Sequence, residues 1–113
     1  MEDEDLIFEG EFLNWKRQVK GKVYRCDIRE LISEGEYINL RLNGKGKEYK
    51  DGKLKFEGDY VDDKIHGKGK EYGNGILLYE GEYKHGKKHG KGKEYEDGKL
   101  TFEGDYVDGK IHG

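Results

Sequence analysis

A chain of 113 residues, 32% of them hydrophobic and 42% charged, has room for one domain with a thin core. Its 22 lysines and arginines nearly balance 25 aspartates and glutamates, and 12% of its residues are aromatic. That excludes the one-signed, aromatic-poor composition of a disordered tail and gives a nucleic-acid backbone no uniform basic field to meet, so no nucleic-acid partner is expected.

The chain opens on MEDEDLIFEGEF, an acidic stretch without the basic-then-apolar pattern of a signal peptide. With one cysteine, Cys26, and no apolar run near the roughly 20 residues that cross a bilayer as a helix, the sequence reads as soluble and cytoplasmic. From Phe8 the text repeats. A first unit spans 8–32 and carries two extra residues between Tyr24 and Ser33, units of 23 residues span 33–55, 56–78 and 79–101, and a partial unit spans 102–113. The units align in columns, with glycine at 10, 35, 58, 81 and 104 and again at 21, 46, 69 and 92. An aromatic column holds Phe12, Tyr37, Tyr60, Tyr83 and Tyr106.

Each unit begins with a stretch such as Tyr79-Glu-Gly-Glu-Tyr83, where aromatics and glycine share one parity and glutamates the other, the two-residue period of a strand. Lys91 to Tyr95 reads as a second strand, HGKKHG between them as a loop, and Asp51-Gly52, Asn74-Gly75 and Asp97-Gly98 as tight turns. A trial register sets Tyr83 opposite Gly92, Glu82 opposite Lys93 and Glu80 opposite Tyr95. A lone hairpin is marginal in water, whereas stacked hairpins bury a continuous aromatic stripe. The expected fold is all-β, one domain over residues 1–113 built as an elongated single-layer antiparallel sheet of stacked hairpin repeats. The last unit stops at Gly113 in mid-hairpin, so either further repeats follow or this edge joins a partner.

The pattern YEGEYKHGKKHGKGKEYEDG, Tyr79 to Gly98, resembles the MORN repeat (membrane occupation and recognition nexus), and units from Phe8 to Gly113 follow it. Text such as DGKLKFEGDY, Asp51 to Tyr60, is also similar to YwqK-like bacterial antitoxin repeats. Three departures stand out: Ser33 replaces an aromatic, NLRLN (39–43) lacks histidine, and the first unit has Trp15 and no His-Gly, with Val19 in a glycine column. They suit a capping unit at the amino end. The resemblance implies a stacked-hairpin scaffold whose chemistry, where a relative has any, lies in another domain.

The residues themselves give catalysis no constellation. The GKGK segments at 44–47, 67–70 and 90–93 precede strands, not a helix N-terminus, Cys26 has no histidine near it, and Glu57, Glu80 and Glu103 form a column with no unique environment. The histidine column His66, His89 and His112 places equivalents about 10 Å apart, too far for one zinc ion. His85 and His89 share a segment and could supply two ligands with a partner chain giving the rest, but no metal or cofactor is expected. The leading function is a non-enzymatic scaffold that binds another protein, or a second copy of itself, through Phe56, Tyr60, Tyr79, Tyr83, Phe102 and Tyr106. The alternative is phospholipid binding at an anionic membrane surface through Lys84, His85, Lys87 and Lys88, each lysine near the surface contributing about 1 kcal/mol. The corresponding location is cytoplasmic, peripheral to a membrane or the cytoskeleton.

Overall fold

The computed structural model describes residues 6–10 and 18–112; Phe12 and Trp15, on which part of the capping reading rests, lie outside them. Ten strands follow in order: β1 Leu6–Gly10, β2 Val19–Arg25, β3 Leu31–Ile38, β4 Arg41–Lys50, β5 Lys53–Val61, β6 Lys64–Gly73, β7 Ile76–Lys84, β8 Lys87–Glu96, β9 Lys99–Val107 and β10 Lys110–Ile111. Each pairs antiparallel with its chain neighbour in one open sheet. The long dimension is 44 Å, close to what nine inter-strand steps of about 4.8 Å give.

Two-residue turns drive this meander. At Asp51-Gly52, Asn74-Gly75 and Asp97-Gly98 both residues have positive φ, as expected from the sequence, and the same geometry recurs at Asn39-Leu40, Asp62-Asp63, His85-Gly86 and Asp108-Gly109. The segment HGKKHG is therefore not a loop: only His85 and Gly86 turn, and the next four residues already belong to β8. The two extra residues of the first unit fall where expected, in the connection between Arg25 and Leu31.

The register differs from the trial one by two residues. Glycine faces glycine in one row across nine strands: Gly10, Gly21, Gly35, Gly46, Gly58, Gly69, Gly81, Gly92 and Gly104. The trial register takes the residues between Tyr83 and Gly92 out of the sheet, whereas β8 begins at Lys87 and Tyr83 faces Lys88 across the His85-Gly86 turn. A bulge then lets β7 advance two residues while β8 advances four, from Lys88 to Gly92, which sets Gly81 opposite Gly92. The bulge is repeated in β4 and β6, and Gly44, Gly67 and Gly90 supply its positive φ of 112°, 108° and 99°.

Beyond the bulge each hairpin tip meets the strand of the preceding unit. Asp63 N–H donates to the Leu42 carbonyl, Gly86 N–H to Ile65 and Gly109 N–H to Lys88, at 2.8 to 3.0 Å. These contacts help enclose the aromatic side. Tyr37, Tyr60, Tyr79, Tyr83 and Tyr106 are buried there with Val19, Leu42 and Ile65, and Phe8, Val23, Phe56 and Phe102 pack against them. Edge-to-face ring pairs join Phe8 to Tyr37, Tyr79 to Tyr83 and Tyr79 to Tyr106 at 5.2 to 5.4 Å. Where Ser33 replaces an aromatic, its hydroxyl lies 2.6 Å from the Tyr37 hydroxyl, so the smaller residue satisfies a buried phenol. Val19, in the glycine column, stands opposite Tyr37 and is itself core.

Candidate functional site

With the aromatic rings on one side, the opposite parity of every strand is left to charge. Lys22, Glu34, Lys47, Glu57, Lys70, Glu80, Lys93 and Glu103 face one another in that order from β2 to β9, so each inner carboxylate has an ammonium on both neighbouring strands. A second row pairs Lys45 with Asp59, Lys68 with Glu82 and Lys91 with Asp105. From Glu34 to Asp105 these residues, with the glycines from Gly35 to Gly104, line an open groove of about 980 Å³ across β3 to β9. Lys45 Nζ lies 2.6 Å from Asp59 Oδ1, but its side chain is 80% exposed, so the pair adds little stability and leaves the charge available to a partner.

Three tyrosines hold glutamates of this groove. Tyr72 and Tyr95 donate to Glu57 and Glu80 at 2.5 Å, and Tyr49 donates to Glu34 in the same way. Loss of solvent, then the hydrogen bond and charge of the glutamate, push the Tyr49 and Tyr72 phenols up to about 12. Burial raises Tyr37 and Tyr79 on the other side to about 12 as well. A phenol harder to ionise folded than unfolded contributes stability that is whole below its ordinary value of 10.0 and is lost as pH climbs through the folded value. The sheet is therefore expected to unfold cooperatively between pH 10 and 12, with far-ultraviolet circular dichroism and phenolate absorbance changing together. Phenolate appearing near pH 10 with the sheet intact would contradict this.

The histidines have a backbone role. His66 Nδ1 accepts the His85 N–H at 3.2 Å and His89 Nδ1 accepts the Asp108 N–H at 3.4 Å, each from the turn of the following unit. In NLRLN, Asn43 Oδ1 accepts the Asp62 N–H at 3.1 Å, so the asparagine does what histidine does elsewhere. The rings of His66 and His85 lie 5.0 Å apart, a contact that column spacing within one strand class does not reveal. Among the described residues no three His, Cys, Asp or Glu side chains converge as a metal site.

Of the six aromatics read as partner anchors, Tyr60, Tyr79, Tyr83 and Tyr106 are 0 to 5% exposed and hold the sheet, while Phe56 and Phe102 stay partly accessible. Lys84, His85 and Lys87 are exposed around one turn. Lys88 departs from them: it takes the column of Leu42 and Ile65, and its Nζ lies 4.4 Å from the Tyr79 ring centre and 3.9 Å from both Glu71 and Glu94. Tyr60 and Tyr106 donate their hydroxyls to Glu48 and Glu94. The equivalent Tyr83 hydroxyl is buried with no partner among the described residues, since Glu71 lies instead near Lys88 and Lys55. Cys26 is an exposed free thiol. No helix among the described residues is long and apolar enough to cross a membrane.

The charged groove is what sequence reasoning did not single out. Its signal was the Glu-Gly-Glu and Lys-Gly-Lys triplets on successive strands, visible once glycine is set opposite glycine. In comparison with known proteins, the MORN repeat family matches residues 56–76, 79–99 and 102–113. No curated protein matches the chain.

Proposed function

We propose that the chain is a non-enzymatic scaffold that holds another protein or a second copy of itself; the MORN repeat, a protein-binding and membrane-associated repeat type, matches residues 56–76, 79–99 and 102–113. The observation that supports this reading is the groove, a long accessible surface on which charges of both signs recur at strand spacing. A partner with charges in the complementary order finds every one of its groups matched, and one with a uniform charge meets as much repulsion as attraction. Phe56 and Phe102 add apolar anchors on the other side, supported from beneath by Tyr60, Tyr79, Tyr83 and Tyr106. The likeness of Asp51 to Tyr60 to antitoxin repeats falls within the same reading, since such a protein acts by holding another.

The test compares three variants in capture from the native cell and in cosedimentation with anionic vesicles. Replacing Lys47, Lys70 and Lys93 together by Ala leaves the groove acidic and is expected to abolish capture while circular dichroism stays that of a sheet, each exposed cross-strand pair contributing only about 0.2 to 1 kcal/mol. Phe102→Ser reports the aromatic side. If capture survives both, and vesicle binding is real and disappears with Lys84→Ala and Lys87→Ala, the lipid reading replaces this one.

A further inference from the structure

The central charge row is only partly satisfied within the chain. Its carboxylates are held in place: Tyr72 and Tyr95 donate to Glu57 and Glu80 at 2.5 Å, and Tyr49 donates to Glu34. Its ammonium groups are left to solvent. Lys47, Lys70 and Lys93 are exposed and, among the described residues, close no ion pair, although a glutamate faces each of them from both neighbouring strands. In the second row Lys91 Nζ lies 3.8 Å from Asp105 with its side chain 87% exposed. Fixed carboxylates beside free ammonium groups form a surface pre-organised for charges brought from outside. Resting on the scaffold reading and deepening it, we propose that the occupant of the groove is a second copy of this chain, laid face to face with its strand order reversed.

Two-fold symmetry selects this arrangement, because a patch that pairs with its own copy must complement itself. On the charged face the sign depends on the strand alone. β3, β5, β7 and β9 carry Glu or Asp on both sides of their glycine, and β4, β6 and β8 carry Lys on both sides. An axis parallel to the strands and lying between two neighbours sets every acidic strand over a basic one, whichever neighbours it divides. With the axis between β5 and β6, Glu57 meets the second copy's Lys70, Lys47 its Glu80, Glu34 its Lys93 and Lys45 its Glu82. An axis along one strand instead sets like on like throughout. An axis running across the strands lays each strand on its own reverse, with Lys45 over Lys47. Only the first of these is attractive at every strand, and it is so however many units the sheet has.

The face is also large enough. The charged strands from β2 to β9 span about 38 Å at 4.8 Å each, and five residues of each strand reach about 17 Å across. That makes roughly 650 Å² per copy and about 1,300 Å² for the pair, within the lower range of stable interfaces. The glycine row projects no side chain between the charged rows, so nothing on the floor of the groove holds the two faces apart. A foreign partner needs the same alternation at strand spacing over the whole length. A second copy has it by construction.

The test is sedimentation velocity of the full chain over a wide range of concentration, in low and in high salt. A dimer is expected in low salt and should weaken at least about tenfold in high salt, where exposed charges are screened. The variant with Lys47→Ala, Lys70→Ala and Lys93→Ala should dimerise at least about tenfold more weakly, because the pairs these lysines make across the axis are lost. A second variant with Glu57→Ala, Glu80→Ala and Glu103→Ala should weaken likewise. Mixing the two variants should restore association, a result that misfolding of either cannot give. Carbodiimide cross-linking of labelled with unlabelled chains should join these lysines to these glutamates between copies. A chain that stays monomeric throughout, association indifferent to salt and to both variants, or cross-links confined to Lys84 and Lys87 would each overturn the proposal. If the chain is monomeric but capture from the native cell still depends on Lys47, Lys70 and Lys93, a foreign partner fills the groove and the scaffold reading stands without this one; loss of both removes both.

Discussion

Gly58→Ala is expected to unfold the sheet or to lower its thermal midpoint by roughly 12 °C, the equivalent of about 3 kcal/mol in a domain of this size. A Cβ on Gly58 would stand 2.4 Å from the Lys68 carbonyl oxygen and 2.6 Å from the Gly69 Cα, both backbone atoms of β6 that no rotamer change can move. The residue also has φ of 151°, a region in which a side chain is strained. The methyl group must part β5 from β6, and the charge row and the tyrosine contacts spanning that seam go with it. Gly104→Ala is the control, since it meets only the end of the Phe102 ring, which can swing aside. Thermal unfolding followed by circular dichroism decides the matter: equal loss from both substitutions would show that strand separation is not what glycine protects.

Tyr79→Ala is expected to cost about 4 kcal/mol, the range for removing a large buried aromatic. Tyr79 is fully buried, and its ring meets Tyr83 at 5.3 Å, Tyr106 at 5.4 Å and the Lys88 ammonium at 4.4 Å. Truncation would open a void between two hairpins and uncover Gly92. Tyr79→Phe keeps every ring contact and loses the 3.2 Å hydrogen bond to the Glu82 carbonyl, for about 1 kcal/mol. Phenylalanine already fills this column at 8, 56 and 102, so the chain itself tolerates the swap. Denaturant titration of the three proteins should give that order, and an alanine no worse than the phenylalanine would remove Tyr79 from the core.

The repeat length, the hairpins and three of the turns were legible because period-two alternation and Asp-Gly or Asn-Gly are local signals. His85-Gly86 was not read as a complete turn because the residues after it resemble loop text, although Lys87 and Lys88 already sit in a strand. The register was missed for a related reason. A glycine such as Gly90 reads the same whether it bends a bulge or ends a loop, and only the bulge shifts the count. Exposure of the aromatic columns was the other gap, because a single layer leaves one side open unless hairpin tips fold over it. The tip contacts depend on carbonyls of the preceding unit, at Leu42, Ile65 and Lys88, and no column of residue types announces a carbonyl.

The sign alternation between neighbouring strands makes length a free variable of this architecture. Excising residues 56–78 would bring β4, with Lys45 and Lys47, beside β7, with Glu80 and Glu82, and set Gly46 opposite Gly81. Every acid would still find a base, and the splice would look like any other seam. A gene encoding such a polypeptide can gain or shed whole rungs by unequal recombination without inventing a new contact, so the reach of the scaffold can change while its cross-section stays fixed.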